Sequence, residues 1–457
     1  MTDENTTPEG TYEHRAAGLN RRRFLTAAGA GAAATSLSGC LGGVGGGGDD
    51  TVHIGAVFLL SGIAEVLGSA SEASARVGAD AVNEAGGILD MDVEMTFLDH
   101  EGDADRASRN FQSLVQEEDA DALIGLTSSG VTLGSASTAE ELGVPYTLTD
   151  IGTPYVTEHD YDTYGNFYEE DEGYAAGIDN LFRLNANTSI NTYGMAKFAT
   201  EELDGVQRVA NLGPDYAYGQ QCWDYFKAYA DGLGADFEYV ASEFPSLGAG
   251  DMTPQINSVM DTDPDLVFTS FWGGDTTTFV QQAAEQGLFD QVEDVFDTIG
   301  AAPGNFESLG DTIPRGIHFS GWYWHSAFDN EANSEYLRRY RETYQDDDTV
   351  IGIPSFTGAS TYSSVWMYKQ AMEQAGSTDF DDVISEMEGM TFEDDPRGSV
   401  TLDADSHQAN APTVIGEISD SDDVPYDGPG MDPTTTYTLD RETALDLLEG
   451  SGLPPGV

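Results

Sequence analysis

The chain has 457 residues, enough for two or three domains that each bury a sizeable core. Its 81 acidic residues against 18 basic ones leave a formal charge of −63, which argues against a nucleic-acid binder or a protein docked on anionic lipid, since both need a basic face. With 39% apolar and 10% aromatic residues, and with its carboxylates dispersed rather than blocked, the composition describes a folded chain in an acidic shell. Only Lys197, Lys227 and Lys369 are lysines; the other basic residues are arginines. Near 1 M salt the Debye length falls to about 3 Å, so dense surface carboxylates stop repelling one another. Acid enrichment with lysine depletion resembles the proteome of an extreme halophile, and it reports habitat rather than activity.

The first fifty residues read as an address. Asn20-Arg21-Arg22-Arg23-Phe24-Leu25-Thr26 resembles the twin-arginine export motif and precedes a charge-free, Ala/Gly-rich stretch over 24–38. Leu37-Ser38-Gly39-Cys40 resembles a lipobox, in which Cys40 is lipidated. Residues 1–40 are then a twin-arginine lipoprotein signal and 41–50 a Gly-rich tether. The body of the protein is expected outside the membrane, anchored to its outer face by lipid. Cys222 is left alone beside Trp223 and reads as a small buried hydrophobe, with no disulfide available within the chain.

From Thr51 strands and helices alternate. Apolar runs predict strands at 53–58, 121–126 and 144–148, and alternation of Val93, Met95 and Phe97 predicts another ending at Asp99. Helical spacing predicts helices at 69–84, 105–118 and 131–142. Segment 154–174 breaks this rhythm with five tyrosines and many acids, and reads as a long surface insertion. A second series follows: helix 187–203, strand 206–212, helix 219–229, strand 237–240, helix 252–260, strand 266–270, helix 275–286 and strand 317–321. Helices near 335–344, 360–374 and 380–390 lead to a last strand at 413–417. Strand–helix–strand at this spacing means an α/β protein with doubly wound lobes, and the two series echo each other.

Several segments in order give a more specific resemblance. They are Ile54-Gly-Ala-Val-Phe-Leu-Leu-Ser-Gly62, Ala81-Val-Asn-Glu-Ala-Gly-Gly-Ile-Leu89, Ile124-Gly-Leu-Thr-Ser-Ser-Gly-Val131, Asp215-Tyr-Ala-Tyr-Gly219 and Asp265-Leu-Val-Phe-Thr-Ser-Phe-Trp-Gly-Gly274. Together they resemble the leucine/isoleucine/valine-binding protein family, the type I periplasmic binding proteins of ABC importers. The resemblance implies two Rossmann-like lobes joined by three crossovers, placed near 183–188, 322–325 and 402–409. Lobe 1 would comprise 51–182 and 326–401, and lobe 2 184–321 and 410–419. Residues 420–457 remain as an acidic C-terminal tail.

The chemistry of the site follows from the fold class. Ligands in open α/β sheets bind where strand carboxyl ends meet helix N-termini. Thr127-Ser128-Ser129-Gly130 offers hydroxyls and backbone N–H groups at such a place, a cradle for a carboxylate or carbonyl oxygen. The resemblance puts Thr127 and Ser129 on the ligand's carboxylate end and Asp150 and Gly152 at the next strand end. It puts Tyr218 and Trp272 as aromatic walls across the cleft. Trp322, Tyr323 and Trp324 sit at the second crossover; they read as core packing, with one ring able to face the cleft instead. The family's amino-acid members hold the ligand ammonium with a glutamate, where this chain has Ile299 within Asp297-Thr-Ile-Gly300. Asp150, Asp215 or Asp275 would have to replace it, or the ligand is a short amide, urea or carboxylic acid. Gly398-Ser-Val-Thr-Leu-Asp-Ala-Asp-Ser-His-Gln408 resembles the amide and urea branch.

No Gly-x-Ser-x-Gly elbow, His-Glu-x-x-His, P-loop or Gly-x-Gly-x-x-Gly after a strand is present, so no enzyme is expected. The acidic Asp261-Thr-Asp-Pro-Asp265 lacks the glycine and terminal glutamate of a calcium loop, and no metal or cofactor is expected. The expected protein is a monomeric extracytoplasmic solute-binding protein. It would close on a branched-chain amino acid or related small polar solute, with ABC permease and ATPase subunits as partners. A ligand-sensing receptor subunit is the alternative role.

Overall fold

A computed structural model describes residues 51–158, 177–347 and 349–457, all within the compact unit Asp49–Val457. The expected signal with Cys40, the tether and most of the Tyr-rich segment lie outside the described residues.

Four short buried strands and one half-buried edge strand, β2, build the first sheet: β1 (Val52–Phe58), β2 (Val93–Asp99), β3 (Ala122–Thr127), β4 (Tyr146–Asp150) and β5 (Leu181–Arg183). They run parallel in the order β2-β1-β3-β4-β5. The crossovers carry α1 (Glu65–Glu84), α2 (Ala104–Gln116) and α3 (Ser129–Leu142). α1 starts a turn earlier than its apolar spacing predicts, because a 3-10 turn at Gly62–Ala64 runs straight into it.

The second sheet repeats the plan. β6 (Arg208–Leu212), β7 (Glu238–Glu243), β8 (Leu266–Thr269), β9 (Asp294–Asp297) and β10 (His318–Gly321) are parallel in the order β7-β6-β8-β9-β10. Their helices are α4 (Thr188–Glu201), α5 (Ala217–Gly232), α6 (Thr253–Met260), α7 (Gly274–Gln286) and α8 (Pro303–Leu309). The echo extends to single residues. Thr127 stands beside Asp150 at the ends of β3 and β4, and Thr269 stands beside Asp297 at the matching ends of β8 and β9.

The chain then returns to the first sheet with α9 (Glu331–Tyr344), α10 (Gly358–Ala375) and α11 (Phe380–Met387). Tyr368 of α10 is buried beneath that sheet, donating to the Leu123 carbonyl at 2.6 Å, while Thr147 Oγ1 donates to the Tyr368 hydroxyl at 2.7 Å. A small hairpin, β11 (Thr391–Phe392) and β12 (Val400–Thr401), precedes β13 (Thr413–Asp420), which joins the second sheet antiparallel to β10.

Two expectations need correction. Residues 420–457 are not a tail: β14 (Pro429–Tyr437) pairs antiparallel with β13 as the edge of the second sheet, and α12 (Arg441–Leu447) follows. Pro429 and Pro433 are tolerated there because an edge strand can spare ladder donors. Residues 154–158 are buried rather than on the surface, Tyr155 included. β9 and α8 were not predicted at all.

The connecting segments are tied by buried polar contacts. Arg183 and Gln408 form a parallel bridge, so two connections run side by side. The fully buried Arg183 guanidinium donates to Thr157 Oγ1 at 3.1 Å and to Gln408 Oε1 at 3.0 Å. Arg397, paired with Asp395 at 2.7 Å with both side chains fully buried, donates to the Leu184 carbonyl at 2.8 Å.

Candidate functional site

Each lobe brings its strand ends to the cleft. After β3 the backbone turns through Ser128, at φ 82°, directly into α3. α3 has no side-chain N-cap, so its first-turn N–H groups lack the partner an N-cap would supply. Ser129 Oγ instead accepts from the Thr153 N–H at 3.1 Å, which ties this turn to the loop after β4. That loop is gripped by Asn185, whose Oδ1 accepts from the Ile151 N–H at 3.3 Å and whose Nδ2 donates to the Ile151 carbonyl at 2.9 Å. From the other lobe the Tyr218 ring lies on Gly152, where a Cβ would fall 2.4 Å from the ring. Only glycine permits that approach. The Tyr218 hydroxyl is fixed by Thr298 Oγ1 at 2.8 Å.

These groups line a pocket of about 280 Å³, open solvent at its mouth included, bounded by Leu67, Thr127, Ser128, Ser129, Asp150, Gly152, Tyr216, Tyr218, Trp272, Ile299 and Trp322. All six residues singled out from the sequence, Thr127, Ser129, Asp150, Gly152, Tyr218 and Trp272, meet there. Sequence reasoning placed Ser128 in the cradle motif but did not single out Leu67 or Tyr216 as lining residues. Leu67 lies in the first turn of α1, ahead of the expected helix start, whereas Tyr216 sits two residues before Tyr218 in a segment already singled out. Trp322 is the ring of the second crossover that faces the cleft, rather than packing in the core as first expected, and it meets Phe356 edge-on at 5.2 Å. Of the acids considered as substitutes for the missing glutamate, Asp150 alone is on the lining. Asp215 is exposed, and Asp275 is engaged with the Gly248 N–H at 2.9 Å.

The lobes are closed around this space. Ile63 of the first lobe faces Gly273, where a Cβ would come 2.5 Å from the Ile63 carbonyl oxygen, and Val66 faces Gly304. The lining is largely dehydrated: Asp150 is 6% exposed, Trp272 3% and Trp322 1%. Asp150 Oδ2, Thr127 Oγ1 and the indole nitrogens of Trp272 and Trp322 make no hydrogen bond of normal geometry. Burial holds the Asp150 carboxyl well above the usual carboxylate range, with the nearby Thr127 hydroxyl pulling modestly the other way. Burial pushes the Tyr218 phenol up, so it stays neutral and available as a hydrogen-bonding group. The site is a closed chamber with unused donors, one unused acceptor and aromatic walls. Among the described residues no helix is long and apolar enough to cross a membrane, and no cluster of metal-ligating side chains occurs.

Two similar doubly wound lobes closing over a chamber at their strand ends define a two-lobed ligand-binding fold. The sequence model of the periplasmic binding protein family matches residues 51–423, and the chain belongs to that family. Among curated proteins it is 24% identical over 268 residues to Leu/Ile/Val-binding protein homolog 4 of Brucella abortus, covering 57% of this chain and 61% of the relative. The match thus spans about three fifths of that relative's length. Homolog 6 of Brucella melitensis is also 24% identical, over 231 residues, covering 49% of this chain and 55% of the relative. Among solved structures, a solute-binding protein of an ABC transporter from R. palustris in complex with 4-hydroxybenzoate superposes with a TM-score of 0.71 at 19% identity, covering 85% of this chain and 97% of that one. The leucine-binding protein of Thermotoga maritima superposes with a TM-score of 0.68 at 20% identity, covering 84% and 98%. At these identities the superpositions establish the fold: α/β, in two lobes.

Proposed function

We propose that this chain is the extracytoplasmic solute-binding protein of an ABC importer and has no enzymatic role. It binds a branched-chain amino acid or related small polar solute by closing its lobes, and acts as a monomer that delivers the solute to permease and ATPase subunits. The reading is supported by the chamber itself, walled by Thr127, Ser129, Asp150 and Gly152 on one side and by Tyr218 and Trp272 on the other. Relatives named as Leu/Ile/Val-binding protein homologues, a structural neighbour in complex with 4-hydroxybenzoate and another named a leucine-binding protein support the same role. A short amide or urea ligand is the second reading. It is favoured by Ile299 on the lining, where the family's amino-acid members carry a glutamate.

On this proposal the twin-arginine signal exports the folded protein, and lipid on Cys40 holds it at the outer face of the membrane in a high-salt habitat. The test is a thermal-shift screen in about 3 M KCl against amino acids, short amides, urea and small carboxylates. A ligand at a hundredfold excess over Kd adds about 2.7 kcal/mol to stability, which is readily seen as a rise in Tm. A rise with a restricted chemical class supports the reading. No rise with any solute would contradict it.

A further inference from the structure

The charge and wall chemistry of the chamber restrict its ligand further. Asp150 is the one ionisable acid on the lining, and no lysine, arginine or histidine accompanies it. Its Oδ2 is buried without a hydrogen-bond partner. A buried carboxylate is costly unless something pairs with it. Around it stand four aromatic side chains, Tyr216, Tyr218, Trp272 and Trp322, with ring centroids 6.4 Å apart for Tyr216–Tyr218 and 6.3 Å for Tyr216–Trp272. Aromatic faces attract cations within about 6 Å, and most strongly where water is excluded.

The type of cation follows from the walls. The Asp150 carboxylate and the hydroxyls of Thr127, Ser128, Ser129, Tyr216 and Tyr218 would suffice in number for the three N–H donors of a primary ammonium, although Ser129 Oγ already accepts from Thr153 N–H and Tyr218 is engaged with Thr298. Four aromatic side chains on so small a lining favour an alkylated head. A fully alkylated nitrogen has no N–H to satisfy and presents methyl groups that pack on rings. An organic anion fares worse. It would sit beside Asp150 with that carboxyl protonated, the form burial already favours, and would gain no ion pair from it. The unpaired indole N–H groups and Thr127 hydroxyl are in turn suited to an oxygen acceptor elsewhere on the ligand.

Building on the solute-binding reading, we infer that the chamber selects a compact quaternary ammonium solute bearing an oxygen acceptor, its charged head among Tyr216, Tyr218, Trp272 and Trp322 and against Asp150.

The experiment is a set of tryptophan-fluorescence and calorimetric titrations of the protein in about 3 M KCl with choline, glycine betaine, leucine, urea and 4-hydroxybenzoate. Choline or glycine betaine should bind at least about tenfold more tightly than leucine, with no saturable binding of 4-hydroxybenzoate. Asp150→Asn, nearly isosteric and relieved of a buried charge, should keep its fold and weaken ammonium binding by about tenfold or more. Trp272→Leu should weaken it similarly, which guards against a variant that fails for structural reasons. If leucine, urea or 4-hydroxybenzoate binds and the ammonium solutes do not, the cation assignment is overturned while solute binding stands. Ammonium binding unchanged in both variants would also overturn it. If none of the five binds and a wider screen finds no ligand, both readings fall.

Discussion

Asp150 and Asp297 occupy matching strand ends in the two lobes, yet only Asp150 reaches the chamber. Asp297 is fully buried behind Ile299, and its Oδ1 accepts from the Ile299 N–H at 3.2 Å. Burial drives its pKa up to about 7, against the opposing pull of the Ile299 and Gly300 N–H groups and the Thr269 hydroxyl. An acid whose folded pKa is raised above its unfolded value costs stability once the pH exceeds the unfolded value. That penalty grows from about pH 4 to about pH 7 and then levels off, at roughly 4 kcal/mol at most. Asp297→Asn removes the charge and keeps an acceptor for Ile299. It should raise Tm by several degrees at about pH 8 and by little near about pH 4.5. Equal effects at both pH values would show that Asp297 is not the titrating group. The indole of Trp322 shows the limit of residue-by-residue reading. Nothing in Gly321-Trp-Tyr-Trp324 says which ring faces a cleft, because that depends on how the segment leaves β10.

At the scale of elements, closure is carried by contacts too small to be read from sequence. Gly304, in the first turn of α8, meets Val66 of α1 across the cleft, where an added Cβ would lie 2.2 Å from Val66 Cγ2. In an open form the same Cβ would meet nothing from the other lobe, and alanine favours a helix over glycine by up to about 1 kcal/mol. Gly304→Ala should therefore leave ligand-free stability unchanged or slightly raised, and weaken solute binding several-fold. Calorimetric titration beside thermal melts checks this; unchanged affinity would mean that α1 and α8 do not meet in the bound form.

Apart from the three-residue β5, the order of strands and helices through β8 was legible, because parallel buried strands are apolar runs and their helices are amphipathic. β9 was not, since it offers only Val295 and Phe296 between two aspartates. α8 opens on Pro-Gly, which reads as a turn, and β14 holds prolines that only an edge position explains. The candidate site was more legible than its surroundings. Short polar residues at strand ends mark it, and the fold class dictates where strand ends converge.

For the molecule as a whole, the charge of −63 sets the conditions under which the fold is stable. Many of the described ion pairs lie at the surface, such as Arg338–Glu335 at 2.7 Å, and surface pairs contribute little. They cannot offset so large an excess of carboxylates, so screening must. The Tm should rise continuously as KCl is increased from about 0.1 M to about 3 M, with most of the gain where the Debye length drops below the spacing of surface charges. A flat or falling profile would remove the high-salt argument while leaving the chamber untouched.

The central claim is that one small solute is enclosed between the lobes at the strand ends. Calorimetric titration of the wild type, Ser129→Ala and Trp272→Ala with the solute that gives the largest thermal shift tests it most directly. The account predicts one solute bound per chain, with affinity reduced by about tenfold or more in each variant, while each variant still melts cooperatively without ligand at a Tm lowered by the lost buried contacts. Wild-type affinity in both variants would contradict it and place the binding site elsewhere.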